Sequence, residues 1–238
     1  MHNRKSQLLI ISLVLFAGML FAVSISAREP MASTTPSLKE VALTFDDGPY
    51  GTSTQAVLDI LQKEDIHATF FLIGRNVEKY SSLTKEEVND GELIGNHTYD
   101  HPKNLPLMTL AHIRSEISKT DTAISSSTGI HTKFFRPPYG RITNRVRGEL
   151  HKEGYTIVMW NTDPRDWDYK GAPSDAIVNR ILSHLKDRMV IDLHDGRDTH
   201  VGYPRDNLIK ALPILIDKLK ADGYTFVTVD KLKGNFIQ

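Results

Sequence analysis

The chain has no cysteine among its 238 residues. That excludes a disulfide framework, thiolate catalysis, a cysteine-held zinc site and lipid attachment through an N-terminal cysteine. Any metal must be held by histidine, aspartate or glutamate. Net charge is also lacking, because 29 basic residues balance 29 acidic ones, so nothing in the charge points to nucleic acid. There is no internal repeat and no dinucleotide-type glycine loop. What is present is enough apolar sequence, 40% of residues, to bury a sizeable core in one domain, with or without a tail.

The N-terminus reads as an export signal over residues 1–27. His2, Arg4 and Lys5 make a positive start, Leu8–Val23 is an apolar run, and Ser24–Ala27 offers small residues for cleavage. The run also approaches the length that spans a bilayer, so an uncleaved membrane anchor is the alternative. Either places the rest of the chain outside the cytoplasmic membrane, secreted or in the cell envelope. Residues 28–38, rich in proline, serine and threonine, read as a linker. A folded domain is expected over 39–232, with a short tail at 233–238.

Within that domain short apolar runs alternate with helical patterns. Strands are predicted at Val41–Phe45, Ala68–Ile73, Leu93–Asn96, Lys133–Arg136, Thr156–Trp160, Met189–Leu193 and Tyr224–Val229. Helices are predicted over Thr54–Glu64, within Asn76–Asn89, from an N-cap at Thr109 to a stop at Gly129, near Asn144–Glu153, over Ser174–Leu185 and over Asn207–Asp222. Strands alternating with helices imply a parallel sheet with right-handed crossovers. Seven such units favour an α/β fold, a (β/α)7 barrel, over an open sheet. Barrels carry their chemistry at the C-terminal ends of the strands.

Five short segments follow predicted strands and so open onto that one face: TFDDGP at Thr44–Pro49, HTYDH at His97–His101, RPPYG at Arg136–Gly140, DPRDW at Asp163–Trp167 and LHDG at Leu193–Gly196. Asp46 and Asp47, adjacent at a strand end, must point apart and suit two tasks, metal binding and proton transfer. Taken alone they are also an ordinary acidic turn before Gly48-Pro49. His97 and His101 have the spacing of a ligand pair, or of two loop histidines, and Asp47 is the natural third ligand. Arg136, braced by two prolines, can hold a carboxylate in a chosen orientation, or form a structural ion pair. Asp166 could orient a histidine, and Trp167 could wall a pocket, stack on a sugar or pack in the core. His194 ends an apolar strand, a place where a histidine is often structural. The other histidines sit in helices or loops without partners, with His200 left open.

As a set these segments resemble the polysaccharide deacetylases of the NodB-homology group, carbohydrate esterase family 4, over about Lys39–Leu232. The resemblance implies a distorted (β/α) barrel and a divalent ion, Zn²⁺ before Co²⁺ or another, on Asp47, His97 and His101. It implies Asp46 as general base, Arg136 as the group steadying that base, and the N–H of Tyr139 as an oxyanion donor. It implies Asp166 as the acid tuning His194, His194 as general acid, and Trp167 as a wall of the acetyl pocket.

The expected activity is metal-dependent removal of N-acetyl groups from N-acetylglucosamine units of a polysaccharide, peptidoglycan before chitin oligomers or poly-N-acetylglucosamine. The expected partner is that glycan, with no nucleic acid, membrane contact only through an uncleaved N-terminus, and a monomeric state. The alternatives are a non-catalytic cell-wall glycan binder, and a deacylase of small amides or O-acetyl esters. One position departs from the resemblance. Two residues before His194, where most relatives carry a bulky aliphatic side chain in the acetyl pocket, stands Asp192. Strand alternation puts it on the face of His194. A carboxylate there needs a cationic partner, with Arg188 or Arg205 as candidates, or else the pocket is altered.

Overall fold

Strand β1 (Glu40–Asp46) is buried from Val41 onward, as a strand covered on both faces must be. In the computed structural model, which describes residues 39–168, 172–197, 205–234 and 236, its side chains sort by parity. Val41, Leu43 and Phe45 pack outward among the helices, and Ala42 packs inward with Phe71 and Val190. The export signal, the anchor alternative, the linker and His200 lie outside the described residues.

Six further strands complete the sheet: β2 (Thr69–Leu72), β3 (Leu93–Asn96), β4 (Phe134–Phe135), β5 (Thr156–Ile157), β6 (Arg188–His194) and β7 (Thr225–Phe226). Their order is β5-β4-β3-β2-β1-β6, and every pairing is parallel. Strand β7 pairs with Glu40 and Val41 of β1, whereas β2 pairs with Thr44–Asp46. Because β6 occupies the whole of the other edge of β1, β7 and β2 share one edge, one below the other. The connections carry α1 (Gly51–Glu64), α2 (Gly74–Lys79), α3 (Ser81–Asn89), α4 (Leu110–Thr128), α5 (Asn144–Lys152), α6 (Ser174–Leu182) and α7 (Asp206–Ala221). The fold is therefore the α/β distorted barrel that the strand–helix alternation implies.

Three local departures from the expected elements have physical reasons. The single helix expected within 76–89 is two, because the backbone leaves the helical region at Tyr80 (φ −123°, ψ 43°), whose ring packs against Tyr50. Strand β5 stops at Ile157 rather than Trp160. Beyond it the chain crosses to β6, where the Asn161 and Thr162 N–H groups both reach the Val190 carbonyl at 3.2 Å and the Asp192 N–H donates to the Thr162 carbonyl at 2.9 Å. That crossing closes the barrel where strand pairing has ended. Strand β7 shortens to two residues because only the lower part of one edge of β1 remains for it. The helix ends follow local chemistry: the Thr109 hydroxyl accepts the His112 N–H, and Gly129 takes φ 78° to stop α4.

Register sets the site. Ala42, Thr44 and Asp46 of β1 lie beside Val190, Asp192 and His194 of β6. This interior ladder climbs from an apolar pair to a polar pair to the two residues at the barrel mouth.

Candidate active site

At the mouth of the barrel a cavity of about 410 Å³ is lined by Asp46, Asp47, His97, His101, Tyr139, Trp167, Asp192 and His194, with Trp160, Asp163, Arg197 and Arg205. The five sequence segments thus converge, and Arg136 lies beneath them, fully buried.

One corner gathers three donors. The Asp47 Oδ1 atom lies 3.3 Å from His101 Nε2 and 3.7 Å from His97 Nε2. That oxygen is buried and accepts no hydrogen bond. His97 Nδ1 is 2.8 Å from the carbonyl oxygen of Arg136. A carbonyl only accepts, so Nδ1 carries the proton and Nε2 keeps its lone pair toward the corner. Burial, and then the neighbouring His101, hold His97 well below the ordinary imidazole range, so the ring is neutral. An unbonded buried carboxylate oxygen facing two imidazole nitrogens suits a divalent ion, and the ligand atoms of Asp47, His97 and His101 all lie within 4.8 Å of one another.

The loops that make this corner are strained. Asp47, Thr98, His101 and Tyr139 have φ of 71°, 70°, 53° and 58°, a conformation that costs about 1–3 kcal/mol for a residue with a side chain. Neighbours hold them there. Asn76 Nδ2 donates to the Asp47 carbonyl at 2.8 Å. Gly196 sits so close that a Cβ would lie 1.9 Å from the same carbonyl oxygen. Asp195, fully buried, accepts from the Thr54 hydroxyl, and its own carbonyl accepts from Ser53 Oγ at 2.7 Å. Its carboxyl lies against Gly48, under the turn that carries Asp47. Asp195 and Asn76 are supports that the motif reading passed over. The signal for Asp195 was its place directly after His194; Asn76 carried none.

Beside the donor corner stands a carboxylate–guanidinium cluster. Arg136 Nη1 donates to Asp46 Oδ1 at 2.8 Å, to Thr44 Oγ1 at 2.7 Å and, more weakly, to Asp192 Oδ1 at 3.1 Å. The guanidinium carbon lies 4.1 Å from the centre of the Phe71 ring. The cationic partner of Asp192 is therefore Arg136. Arg188 pairs with Glu40, and Arg205 donates to the Gly196 carbonyl. The reason is distance, because Arg188 lies four residues back on the exposed end of the same strand, whereas the buried Arg136 reaches Asp192 from across the barrel floor. Burial, then the nearby Asp46, push Asp192 well above the ordinary carboxyl range.

Opposite Asp46, His194 is held twice by Asp166: Nδ1 lies 3.0 Å from Oδ1, and the backbone N–H donates to Oδ2 at 2.9 Å. Burial disfavours the charged ring, but the Asp166 carboxylate outweighs it and the pKa rises to about 10. Trp167 stands at the lip, 44% exposed, its indole N–H bonded to Asp163 Oδ1 at 3.2 Å. The Tyr139 ring packs 4.7 Å from that of His101. Thr44 and Trp160, which no sequence signal marked as site residues, also take part: Thr44 faces inward on β1 and accepts from Arg136, and Trp160 lines the cavity at the barrel closure.

The arrangement can hold a divalent ion, accept a proton at Asp46 and donate one from His194. Comparison with known proteins agrees. Residues 33–158 match the family described as Polysaccharide deacetylase. The chain is 39% identical over 193 residues to a peptidoglycan-N-acetylglucosamine deacetylase of Bacillus cereus, covering 81% of this chain and 68% of that protein. It is 33% identical over 213 residues to peptidoglycan-N-acetylglucosamine deacetylase PgdA of Listeria monocytogenes, covering 90% of this chain but only 43% of that longer protein. The crystal structure of the Bc1960 peptidoglycan N-acetylglucosamine deacetylase superposes with a TM-score of 0.75 at 38% identity, covering 81% and 86% of the two chains. The chain belongs to the polysaccharide deacetylase family.

Proposed function

We propose that this protein is an exported, metal-dependent hydrolase that removes N-acetyl groups from N-acetylglucosamine units of a polysaccharide, peptidoglycan before chitin oligomers or poly-N-acetylglucosamine. The observation that carries this reading is the placing of Asp46 and His194 in one cavity with the Asp47, His97 and His101 donors. The names of the relatives favour peptidoglycan.

Asp47, His97 and His101 would hold the ion. Two imidazoles and a carboxylate suit Zn²⁺, and Co²⁺ next. A divalent cation there would supply Lewis-acid polarisation.

The chain's own groups do the proton work. Asp46, with Oδ1 fixed by Arg136 and Oδ2 toward His97 at 3.6 Å, takes a proton from water as it attacks the acyl carbon. The buried guanidinium keeps that carboxylate oriented. His194, charged and gripped by Asp166, gives its proton to the departing nitrogen. The Tyr139 N–H is assigned to the oxyanion. Trp167 at the lip offers an apolar face to a sugar ring.

The deciding experiment is an acetate-release screen across purified peptidoglycan, chitin oligomers, poly-N-acetylglucosamine, and small amide and O-acetyl ester substrates, with and without a chelator. Chelator-sensitive acetate from at least one glycan is expected. Glycan pull-down without acetate would mark a binding protein instead, and release only from ester or small-amide substrates would mark a different deacylase.

A further inference from the structure

The floor of the reaction cavity is polar where an acyl tail must rest. A tetrahedral centre formed between a proton acceptor at Asp46 and a proton donor at His194 has its attacking oxygen near the first and its nitrogen near the second. Its acyl oxygen turns to the Asp47–His97–His101 corner. The remaining substituent, the acyl tail, is left with the wall between base and acid, and the side chain there is Asp192. Single side-chain atoms of Asp46, Asp192 and His194 lie within 4.8 Å of one another, and Asp192 lines the same cavity.

Asp192 is 3% exposed, and its carboxyl receives one side-chain hydrogen bond, to Oδ1 from Arg136. Among the described residues nothing bonds its second oxygen. A plain methyl laid against that carboxyl would remove the oxygen from water and give it nothing in return. A hydroxyl on the acyl tail would satisfy it in either protonation state, since a hydroxyl both donates and accepts.

We propose that Asp192 is a specificity-determining residue, which turns the acyl pocket toward N-acyl groups carrying a hydroxyl on the tail, the hydroxyacetyl amide of an amino sugar being the smallest. The inference rests on the deacylase reading above and narrows it. The reaction is the same hydrolysis: the C–N bond breaks, water supplies OH to the acyl carbon and H to the nitrogen, and hydroxyacetate leaves in place of acetate.

The test uses three glucosamine oligomers of equal length, N-acylated with acetyl, hydroxyacetyl or propionyl groups. Free amine is followed for the full-length wild type and for Asp192→Leu and Asp192→Asn, each loaded with Zn²⁺. Hydroxyacetyl is expected to exceed both others in kcat/KM by roughly 10-fold or more in the wild type, and propionyl controls for size alone. Asp192→Leu is expected to shift the hydroxyacetyl-to-acetyl ratio toward acetyl by a similar factor, and Asp192→Asn to keep the wild-type order. The wild-type ratio needs no variant to fold. Acetyl turned over as well as hydroxyacetyl by the wild type overturns the inference while leaving the deacylase reading intact. A ratio unmoved in an active Asp192→Leu does the same. No free amine from any of the three overturns the inference, and the deacylase reading falls with it only if peptidoglycan also releases no acetate.

Discussion

The Nδ1–H of His97 donates to the backbone carbonyl of Arg136 at 2.8 Å. One residue of the RPPYG segment thereby serves two purposes. Its carbonyl fixes the tautomer of a candidate metal ligand, and its side chain grips the carboxylate of the candidate base.

His97→Ala removes one of three donors. Bound zinc, measured by elemental analysis after desalting, is expected to fall from about one per chain to near zero, because two donors rarely retain an ion. Asp195→Ala keeps all three donors but loosens the turn under Asp47. Its metal affinity is expected to drop roughly 10–100-fold, the usual cost of losing a supporting contact. Equal retention of zinc by both variants and wild type would contradict the assigned site.

Arg136→Met should be costly for folding as well as turnover. It leaves the buried Asp46 and Asp192 carboxyls facing one another without their shared cation. A loss of about 3–5 kcal/mol is expected in urea unfolding. Adding Asp192→Leu to that variant should recover part of it, and strict additivity of the two changes would argue against the shared contact.

Asp166→Asn should lower the alkaline limit of activity. In the fold His194 stays charged up to about 10, against an ordinary value of 6.5. The pair therefore stabilises the fold fully below pH 6.5, and that stabilisation is lost as pH rises through about 10. Without the carboxylate, the alkaline limb of kcat/KM moves to lower pH, and kcat at neutral pH falls roughly 10²-fold or more. An unmoved limb would remove His194 from the acid role.

Glu92 gives stability a pH dependence of the same sign in a lower window. Burial raises its carboxyl from 4.5 to about 8, although the Ala68 N–H bonds it. The fold then binds a proton that the unfolded chain has released, so stability falls as pH rises from 4.5 through about 8 and levels off beyond. Glu87, fully buried with neither carboxyl oxygen hydrogen-bonded, acts in the same direction because burial raises it too. Glu92→Gln is expected to flatten the decline in melting temperature between pH 5 and pH 8, read by calorimetry. An unchanged slope would count against the raised carboxyl.

The sequence by itself determined the alternation of strands and helices, the barrel class, and the five segments that meet at its mouth. It could do so because these depend on local pattern. A run such as Leu93–Asn96 must be a buried strand, Thr109 and Gly129 must bound a helix, and residues following parallel strands must share one end of the sheet. Tertiary structure decided the rest. The partner of Asp192 is Arg136, 56 positions away, and local reasoning supplied only the wrong arginines. The early end of β5 and the support of Asp47 by Asn76 and Asp195 were equally invisible. Contacts across a barrel floor depend on which strands lie side by side and in what register, and neither is written in any short stretch of chain.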